Sequence, residues 1–466
     1  MAAPIIKILD SVHCKANKEA RELILPPLKY KSTRWVRIGG RKVPEIKTSH
    51  LVSGRNGSGG TFLTGLLPKV LAYKKNKKKI KTIGRSNNEI FPFLQDAKLK
   101  GITFREDQKE VFEIVKKKQR GIITFPTGSG KTIIACGIIS MFLPCRVLFL
   151  CHTIDLIKQT EKDFNSFFNK DHVFVFGGGN KASWDKIKDS SESIVLATIQ
   201  TFSNINPKQY STFFDVVIID EVHHVTSLES QYGMVIQNNL SPIKYGLTAT
   251  MPTSQKGVLI NEGLIGQIIS ELTINEGVDK NIIAKPTIKF LSVPFQDKIK
   301  IACQNNYNDF YTLGIVKNRT RNILIVKEVI ENLKKEESTL IIIEKTNHGS
   351  ILKRMLKKKK IKVEFVYGKT LKEDRNKIKN DLQRKKIKTV ICSRVWKEGI
   401  NIPSLNNIIN AFGLSSEIST LQSIGRGLRV DKNKKTLCFV DFLDPYQFLS
   451  QHAILRIQTY KKYGWI

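Results

Sequence analysis

The chain has 466 residues, with 77 lysines and arginines against 41 aspartates and glutamates and a formal net charge of +36. This length is too great for one ordinary core, and a hydrophobic content of 41% excludes a disordered chain, so two or three folded domains are expected. The positive charge predicts a polyanionic partner, with nucleic acid the first candidate. A membrane surface is not expected, because the sequence has neither an apolar run of about 18 residues nor a clear amphipathic basic anchor.

The cysteines and the N-terminal sequence indicate in which cellular compartment the protein is expected. The cysteines form no Cys-x-x-Cys pair, and several lie in apolar runs, so we expect reduced thiols in the core. No signal-peptide pattern follows Met1, which predicts a cytoplasmic protein. The cysteines are Cys14, Cys136, Cys145, Cys151, Cys303, Cys392 and Cys438.

Residues 1–100 are predicted to form a small basic α+β domain that serves as an accessory DNA-binding domain. Two extended stretches, residues 30–38 and 41–50, are separated by Gly39-Gly40, which is typical of a hairpin turn. An apolar run follows at residues 61–72, and a lysine-rich run lies between residues 74 and 81. Such a lysine run either covers a solvated face or contacts phosphates.

From Phe104 onward, apolar strands alternate with amphipathic helices, the pattern of a parallel sheet covered on both faces. The pattern predicts one α/β domain over residues 101–284 and a second over 285–466. The predicted strands of the first domain are 121–125, 146–151, 172–176, 193–198, 216–220 and 244–248. Those of the second are 339–343, 363–367, 389–392, 407–410 and 436–441, with helices at 322–335, 349–357, 372–384 and 420–427.

A phosphate-binding loop is predicted between the strand at residues 121–125 and an apolar helix from Thr132 onward. Gly128 and Gly130 would let successive backbone N–H groups point at a phosphate, where the helix N-terminus also lies. Lys131 would reach the β- and γ-phosphates of ATP, and the Thr132 hydroxyl would bind Mg²⁺. The strict pattern has a glycine where this chain has Phe125.

Two carboxylates lie at the end of the strand predicted at residues 216–220. Asp220 and Glu221 come directly after the apolar run at residues 216–219, at a strand end where α/β folds place ligands. One carboxylate can organise Mg²⁺ and the other can orient or deprotonate water for attack on the γ-phosphate. We assign Asp220 to the metal and Glu221 to the water.

Four short motifs, in this order and spacing, resemble those of the superfamily 2 helicases and translocases. They are Pro126-Thr-Gly-Ser-Gly-Lys-Thr132, Asp220-Glu-Val-His223, Thr248-Ala-Thr250 and Gln422-Ser-Ile-Gly-Arg-Gly-Leu-Arg429. The resemblance covers residues 101 to about 445. It implies two tandem RecA-like parallel-sheet motor domains that share one ATP and one Mg²⁺ ion.

The resemblance also assigns roles to residues. It implies ATP binding by Arg105, Gln108, Pro126, Thr127, Gly128, Ser129, Gly130, Lys131, Thr132 and Gly399. It implies catalysis by Lys131, Asp220, Glu221, Gln422, Arg426 and Arg429, with Thr132 and Asp220 as metal ligands. Coupling falls to His223, Thr248, Thr250 and Asn401, although the family usually has aspartate at position 401. The predicted DNA contacts are His152, Thr153, Thr198, Ser393 and Arg394.

The layout is most similar to the UvsW-type phage helicases, which implies a monomeric ATP-driven motor on branched or forked DNA, in the host-cell cytoplasm if a phage encodes it. An RNA helicase or a motor that removes RNA from RNA–DNA hybrids would share every ATP residue. A restriction-type translocase subunit is a further alternative, although no nuclease cluster is evident. A non-enzymatic binding protein would require a broken ATP site, which the motifs argue against.

Overall fold

We describe the protein from a computed structural model. It describes the chain except residues 1–2, 39–40, 55–57, 74–79, 85–93, 178–179, 182–183, 304–305, 394–401, 403, 414–423, 426 and 428–435, and it describes only the backbone at 34–38, 41–44, 155 and 180–181. The chain divides into two compact units. One contains Met1–Phe125 and Gly130–Leu272, and the other contains Thr273–Ile466 with the short segment Pro126–Ser129.

The N-terminal segment contains a small sheet and a long hairpin. Its elements are β1 (Ile5–Ile8), β2 (His13–Ala16), α1 (Lys18–Ile24), β3 (Lys29–Ile38), β4 (Arg41–His50), β5 (Gly60–Leu63), α2 (Leu67–Ala72) and β6 (Lys81–Ile83). Strands β5, β2, β1 and β6 form a sheet in that order, whereas β3 and β4 pair only with each other among the described residues. The predicted hairpin is confirmed, because Ile38 pairs with Arg41.

The first motor sheet is parallel apart from one edge. Its elements are α3 (Glu106–Val115), β7 (Arg120–Thr124), α4 (Lys131–Phe142), β8 (Arg146–Cys151), α5 (Ile154–Phe167), β9 (Val173–Gly177), β10 (Asn180–Lys181), α6 (Trp184–Lys188), β11 (Ser193–Thr198), α7 (Ile199–Phe202), α8 (Pro207–Tyr210), β12 (Val216–Asp220), α9 (Gln231–Gln237), β13 (Ile243–Thr248), α10 (Gln255–Leu264) and β14 (Ile268–Glu271). The strand order is β10-β9-β11-β8-β12-β13-β7-β14, and only β10 runs antiparallel to its neighbour. The carboxyl ends of β7, β8, β12 and β13 therefore meet at one edge of the sheet.

The N-terminal segment shares its core with this motor sheet. Leu63 and Leu66 belong to the same buried cluster as Ile260 and Leu264 of α10. A Cβ atom placed on Gly65 would lie 2.1 Å from the Glu262 carbonyl oxygen, so the two backbones touch. The Lys69 ammonium lies 2.6 Å from the Glu262 carboxylate at the same contact. The boundary of a separate accessory domain at residue 100 stays a prediction.

This contact gives a testable prediction. Gly65→Ala should destabilise the first unit by about 1–3 kcal/mol, because a methyl group cannot fit against the α10 backbone unless the two segments separate. Lys69→Ala is the matched control, since a partly exposed ion pair contributes about 1 kcal/mol or less. Thermal unfolding measures both variants, and equal stability of Gly65→Ala and wild type would contradict the described packing.

The second unit also contains a parallel sheet. Its elements are α11 (Ile274–Asp279), β15 (Lys285–Ser292), α12 (Asp297–Ala302), α13 (Tyr307–Tyr311), α14 (Arg319–Lys334), β16 (Thr339–Ile342), α15 (Thr346–Lys358), β17 (Glu364–Val366), α16 (Lys372–Gln383), β18 (Thr389–Cys392), β19 (Asn407–Asn410), β20 (Thr436–Leu443) and α17 (Gln447–Lys462). Within the described ranges, six strands pair in the order β15-β20-β19-β16-β18-β17. Two α/β domains with parallel sheets confirm the predicted fold class.

Among the described strands of the two α/β domains, β10, β14 and β15 were not predicted from the sequence. Pro286 lies inside β15, and proline lacks the N–H group that a central strand needs. Here β15 is the edge strand beside β20, and within the described part of the chain no strand pairs with its outer side. Strand β14 also lies at a sheet edge, and its residues are only partly buried. Most of the predicted helix at residues 420–427 lies outside the described residues.

The seven cysteines all lie in the described part of the chain. None forms a disulfide, six are buried and Cys438 is half-buried. The predicted burial of the cysteines is therefore confirmed for six of them, and their reduced state stays a prediction. No helix that the structure describes is long and apolar enough to cross a lipid bilayer.

Candidate nucleotide site and nucleic-acid interface

The predicted phosphate loop contains two glycines in the left-handed backbone conformation, as expected for a turn around a phosphate. Gly128 and Gly130 have φ values of 88° and 93°, a region that side-chain-bearing residues rarely adopt. Helix α4 begins at Lys131 directly after this turn, so its unpaired N–H groups face the loop. The Lys131 ammonium donates to the Phe125 carbonyl oxygen at 3.1 Å, within the same turn. The Ser129 hydroxyl donates to the Pro126 carbonyl at 2.7 Å and closes the loop.

Arg105 and Gln108, which are predicted to bind ATP, are adjacent to this loop. A Cβ atom on Gly130 would lie 3.1 Å from Gln108 Nε2 and 3.5 Å from Arg105 Nη1. The Arg105 N–H donates to Gln108 Oε1 at 3.1 Å, which holds the amide at the start of α3. The Arg105 guanidinium makes a bidentate contact with Asp107, at 2.9 and 2.8 Å. The fold therefore brings together loop and helix residues from separate motifs.

Asp220 and Glu221 stand at the carboxyl end of β12. Burial and the Glu221 carboxylate raise the pKa of the Asp220 carboxyl from 3.8 to about 7. Burial also acts to raise the pKa of Glu221, but Lys131 and His223 outweigh it and lower that pKa to about 2. Lys131 favours the ionised form of both carboxyls, so the lysine of the loop and the two carboxylates share one electrostatic site.

Glu221 has a strained backbone. Its φ and ψ are both 51°, in the left-handed region, which costs a non-glycine residue roughly 1–2 kcal/mol. Its N–H donates to Asp220 Oδ1 at 3.0 Å. Strain of this kind persists only where the surrounding structure holds it, and it concentrates at functional sites.

His223 connects Glu221 to the Thr248-Ala-Thr250 motif. Its Nδ1 atom lies 3.0 Å from Thr248 Oγ1 and 3.2 Å from Glu221 Oε2. The Thr248 hydroxyl already donates its hydrogen to the Thr250 carbonyl at 2.7 Å. Because a hydroxyl has one hydrogen, Nδ1–H must be the donor toward Thr248. The His223 imidazole thus contacts both the Glu221 carboxylate and Thr248, one of the residues predicted to act in coupling.

The predicted DNA contacts occupy different environments. His152 and Thr153 follow β8 and are partly exposed, and Thr153 Oγ1 accepts from the Leu156 N–H at the start of α5. Thr198 is only 1% exposed, and its hydroxyl caps α7. Ser393 is 7% exposed. In this conformation Thr198 and Ser393 present little side-chain surface, and a DNA contact for all four stays a prediction.

Six predicted site residues lie outside the described residues. Their roles in ATP binding, coupling, catalysis and DNA contact stay predictions. They are Arg394, Gly399, Asn401, Gln422, Arg426 and Arg429.

The contacts of His224 with His152 and Tyr232 at this sheet edge were not predicted from the sequence. His224 follows His223 directly, and its ring stacks on that of His152 with centroids 4.1 Å apart. Tyr232 of α9 lies beyond them, with its ring nearly parallel to both. The adjacent histidines His223 and His224 were the sequence signal for this group, but a sequence cannot show which ring His224 contacts.

Comparison with known proteins defines the class. Residues 101–253 match the family model "Type III restriction enzyme, res subunit", and residues 321–431 match "Helicase conserved C-terminal domain". The chain therefore carries the two helicase domains of superfamily 2, the ATP-driven class that its motifs resemble.

Individual relatives agree with this class. The chain is 25% identical to the ATP-dependent DNA helicase uvsW of Enterobacteria phage T4 over 76% of this chain and 75% of that protein. It is 27% identical to the DNA 3'-5' translocase XPB2 of Sulfurisphaera tokodaii, over 74% of this chain and 82% of that protein. The solved structure of S. cerevisiae Dbp5 bound to RNA and ADP BeF3 shares the fold, with a TM-score of 0.54 and 15% identity over 78% of this chain and 88% of that one.

Proposed function

We propose that the protein is an ATP-dependent DNA helicase or translocase that acts on branched or forked DNA as a monomeric motor. The observation that carries the proposal is the shared site of Lys131, Asp220 and Glu221 beside the glycine turn of the loop, in which the loop lysine favours the ionised form of both carboxyls. The similarity to the phage T4 and Sulfurisphaera proteins supports DNA as the substrate. The net charge of +36 supports contacts with the nucleic-acid backbone.

Each residue of the site has a proposed task. The N–H groups of the loop from Pro126 to Gly130 bind the phosphates, and Lys131 neutralises charge that builds up on the γ-phosphate. Glu221 has its pKa lowered to about 2, so it is ionised at neutral pH and able to orient or deprotonate water. Arg105 and Gln108 face the loop from α3 and bind the base.

The residues also fit a magnesium ion. The Asp220 carboxylate and the Thr132 hydroxyl are oxygen ligands of the kind that Mg²⁺ prefers. Burial raises the pKa of Asp220 to about 7, and a bound cation would favour its ionised form instead. When bound, the ion would neutralise phosphate charge.

The remaining proposed roles are coupling, stabilisation of the phosphoryl group and contact with DNA. His223 contacts Glu221 and Thr248, so a change at the carboxylate reaches the Thr248-Ala-Thr250 motif directly. By resemblance, Arg426 and Arg429 stabilise the transferring phosphoryl group, Gln422 senses the γ-phosphate, Gly399 binds ATP and Asn401 acts in coupling. His152, Thr153, Thr198, Ser393 and Arg394 form the proposed track along the DNA backbone, which must be insensitive to sequence because a motor passes every base.

The substrate is tested by comparing ATP-dependent unwinding of forks, four-way junctions, RNA–DNA hybrids within a displaced loop, plain DNA duplex and RNA duplex. We expect forks and junctions to be processed at least about tenfold faster than plain duplex. A preference for RNA duplex or for the hybrid would support an RNA-directed motor instead. Translocation along plain duplex without unwinding would indicate a restriction-type translocase, and ATPase activity absent with every substrate would contradict the motor itself.

A further inference from the structure

Three aromatic rings with nearly parallel planes lie together at the carboxyl edge of the first motor sheet, and two of them stack. The rings of His152 and His224 have centroids 4.1 Å apart and planes at 12°, which is direct face-to-face contact. The Tyr232 ring is 6.2 Å from His152 and 6.5 Å from His224, with planes at 17° and 9°. Tyr232 is 4% exposed, so the stack rests on the core.

The stack is in contact with the catalytic carboxylate through one further ring. His224 and His223 have centroids 4.2 Å apart. His223 is 5% exposed, and its Nδ1 contacts Glu221 Oε2 at 3.2 Å and Thr248 Oγ1 at 3.0 Å. An unbroken series of contacts therefore leads from His152, on the predicted DNA track, to Glu221.

The fold explains why these residues meet. Strands β8 and β12 are adjacent and parallel, and Leu150 pairs with Ile219. The loops that follow them leave the sheet side by side, which places His152 above the turn that contains His223 and His224. The dense packing of such rings leaves little room for one to move without its neighbour.

We propose that His224 is a positioning residue that transmits occupancy of the DNA track to the ATP site, an inference that rests on the proposed function. A strand that binds at His152 and Thr153 sets the orientation of the His152 ring. The stacked His224 ring then holds His223 against Glu221 and Thr248, the geometry that favours hydrolysis. In the absence of DNA, the His152 ring has more freedom and Glu221 is held less firmly.

The test compares His224→Ala with His224→Phe, which keeps a ring in the stack, and with His172→Ala as an unrelated histidine control. The readout is the ratio of ATP turnover with saturating single-stranded DNA to turnover without it. We expect His224→Ala to lower this ratio roughly tenfold, within the roughly 5- to 150-fold range of typical coupling between sites. His224→Phe should retain the ratio within about threefold, and His172→Ala should match wild type.

Binding provides a second readout, because coupling between two ligands is reciprocal. A non-hydrolysable ATP analogue should change the affinity of wild type for single-stranded DNA, and His224→Ala should lose most of that change. If His224→Ala does not fold, His224→Leu keeps the volume without the aromatic ring and should lose coupling equally. A lower melting temperature with an unchanged ratio would show that His224 only packs, which overturns the proposal. Wild type without any ATPase activity would instead overturn the proposed function.

Discussion

Lys131→Ala is expected to abolish ATP turnover and to leave DNA binding nearly intact. Lys131 stands at the start of α4 behind two glycines in the left-handed region, and its ammonium favours the ionised form of both Asp220 and Glu221. Its loss removes the positive charge that offsets charge on the transferring phosphoryl group. Losing one preorganised charge partner at such a site costs about a hundredfold or more in kcat.

The measurement is steady-state ATPase activity with saturating single-stranded DNA, beside DNA affinity from fluorescence anisotropy. Lys109→Ala is the matched control, because Lys109 is an exposed lysine on α3 that pairs only with Glu106 among the contacts described. We expect Lys109→Ala to keep wild-type turnover. Normal turnover in Lys131→Ala would reject the site, whereas parallel loss of DNA binding would show that the variant is misfolded.

The second large effect is expected at Arg456, in the C-terminal helix α17. The resemblance of residues 456–465 to the terminal helix of UvsW-type helicases predicts a basic-aromatic helix here, but Arg456 is fully buried and its Nε donates to Asp441 Oδ2 at 2.7 Å. The Tyr460 hydroxyl donates to the same carboxylate oxygen at 2.7 Å, and Asn410 Nδ2 donates to Oδ1 at 3.0 Å. Burial acts to lower the pKa of the guanidinium, but Asp441 outweighs it and raises that pKa.

Arg456→Ala should therefore destabilise the second unit by about 3–5 kcal/mol, because it leaves the Asp441 carboxylate buried without its cation. Hydrogen–deuterium exchange of β20 and α17 measures this locally, without assuming that both units unfold together. Lys461→Ala, an exposed lysine on the same helix, should change exchange little. Combining Arg456→Met with Asp441→Leu should recover part of the loss. A cost below about 1 kcal/mol for Arg456→Ala would contradict a buried ion pair.

Most strands were predictable because their buried residues are apolar in uninterrupted runs. The runs at residues 146–151, 193–198 and 216–220 match the observed strands residue for residue. The edge strands β14 and β15 lack this signal, since their burial is only partial. Strand β15 was not predicted for this reason, and also because a proline such as Pro286 usually indicates that a strand is interrupted.

The sequence by itself determined which chemical groups the site contains. The residue types of the loop and of Asp220-Glu221 predict phosphate binding, a cation ligand and a base, and the proposed function assigns them these tasks. Glycine at positions 128 and 130 also determined the backbone there, since the left-handed conformation excludes most side chains.

Only the tertiary structure decided which residues meet across long sequence separations. It joined the N-terminal segment to α10 through a backbone contact at Gly65, placed His152 on His224, and buried Arg456 against Asp441. A histidine or an arginine has the same local signal whether it is exposed, stacked or paired in a core. Its environment is set by strand order and packing, which bring together residues that no local pattern links.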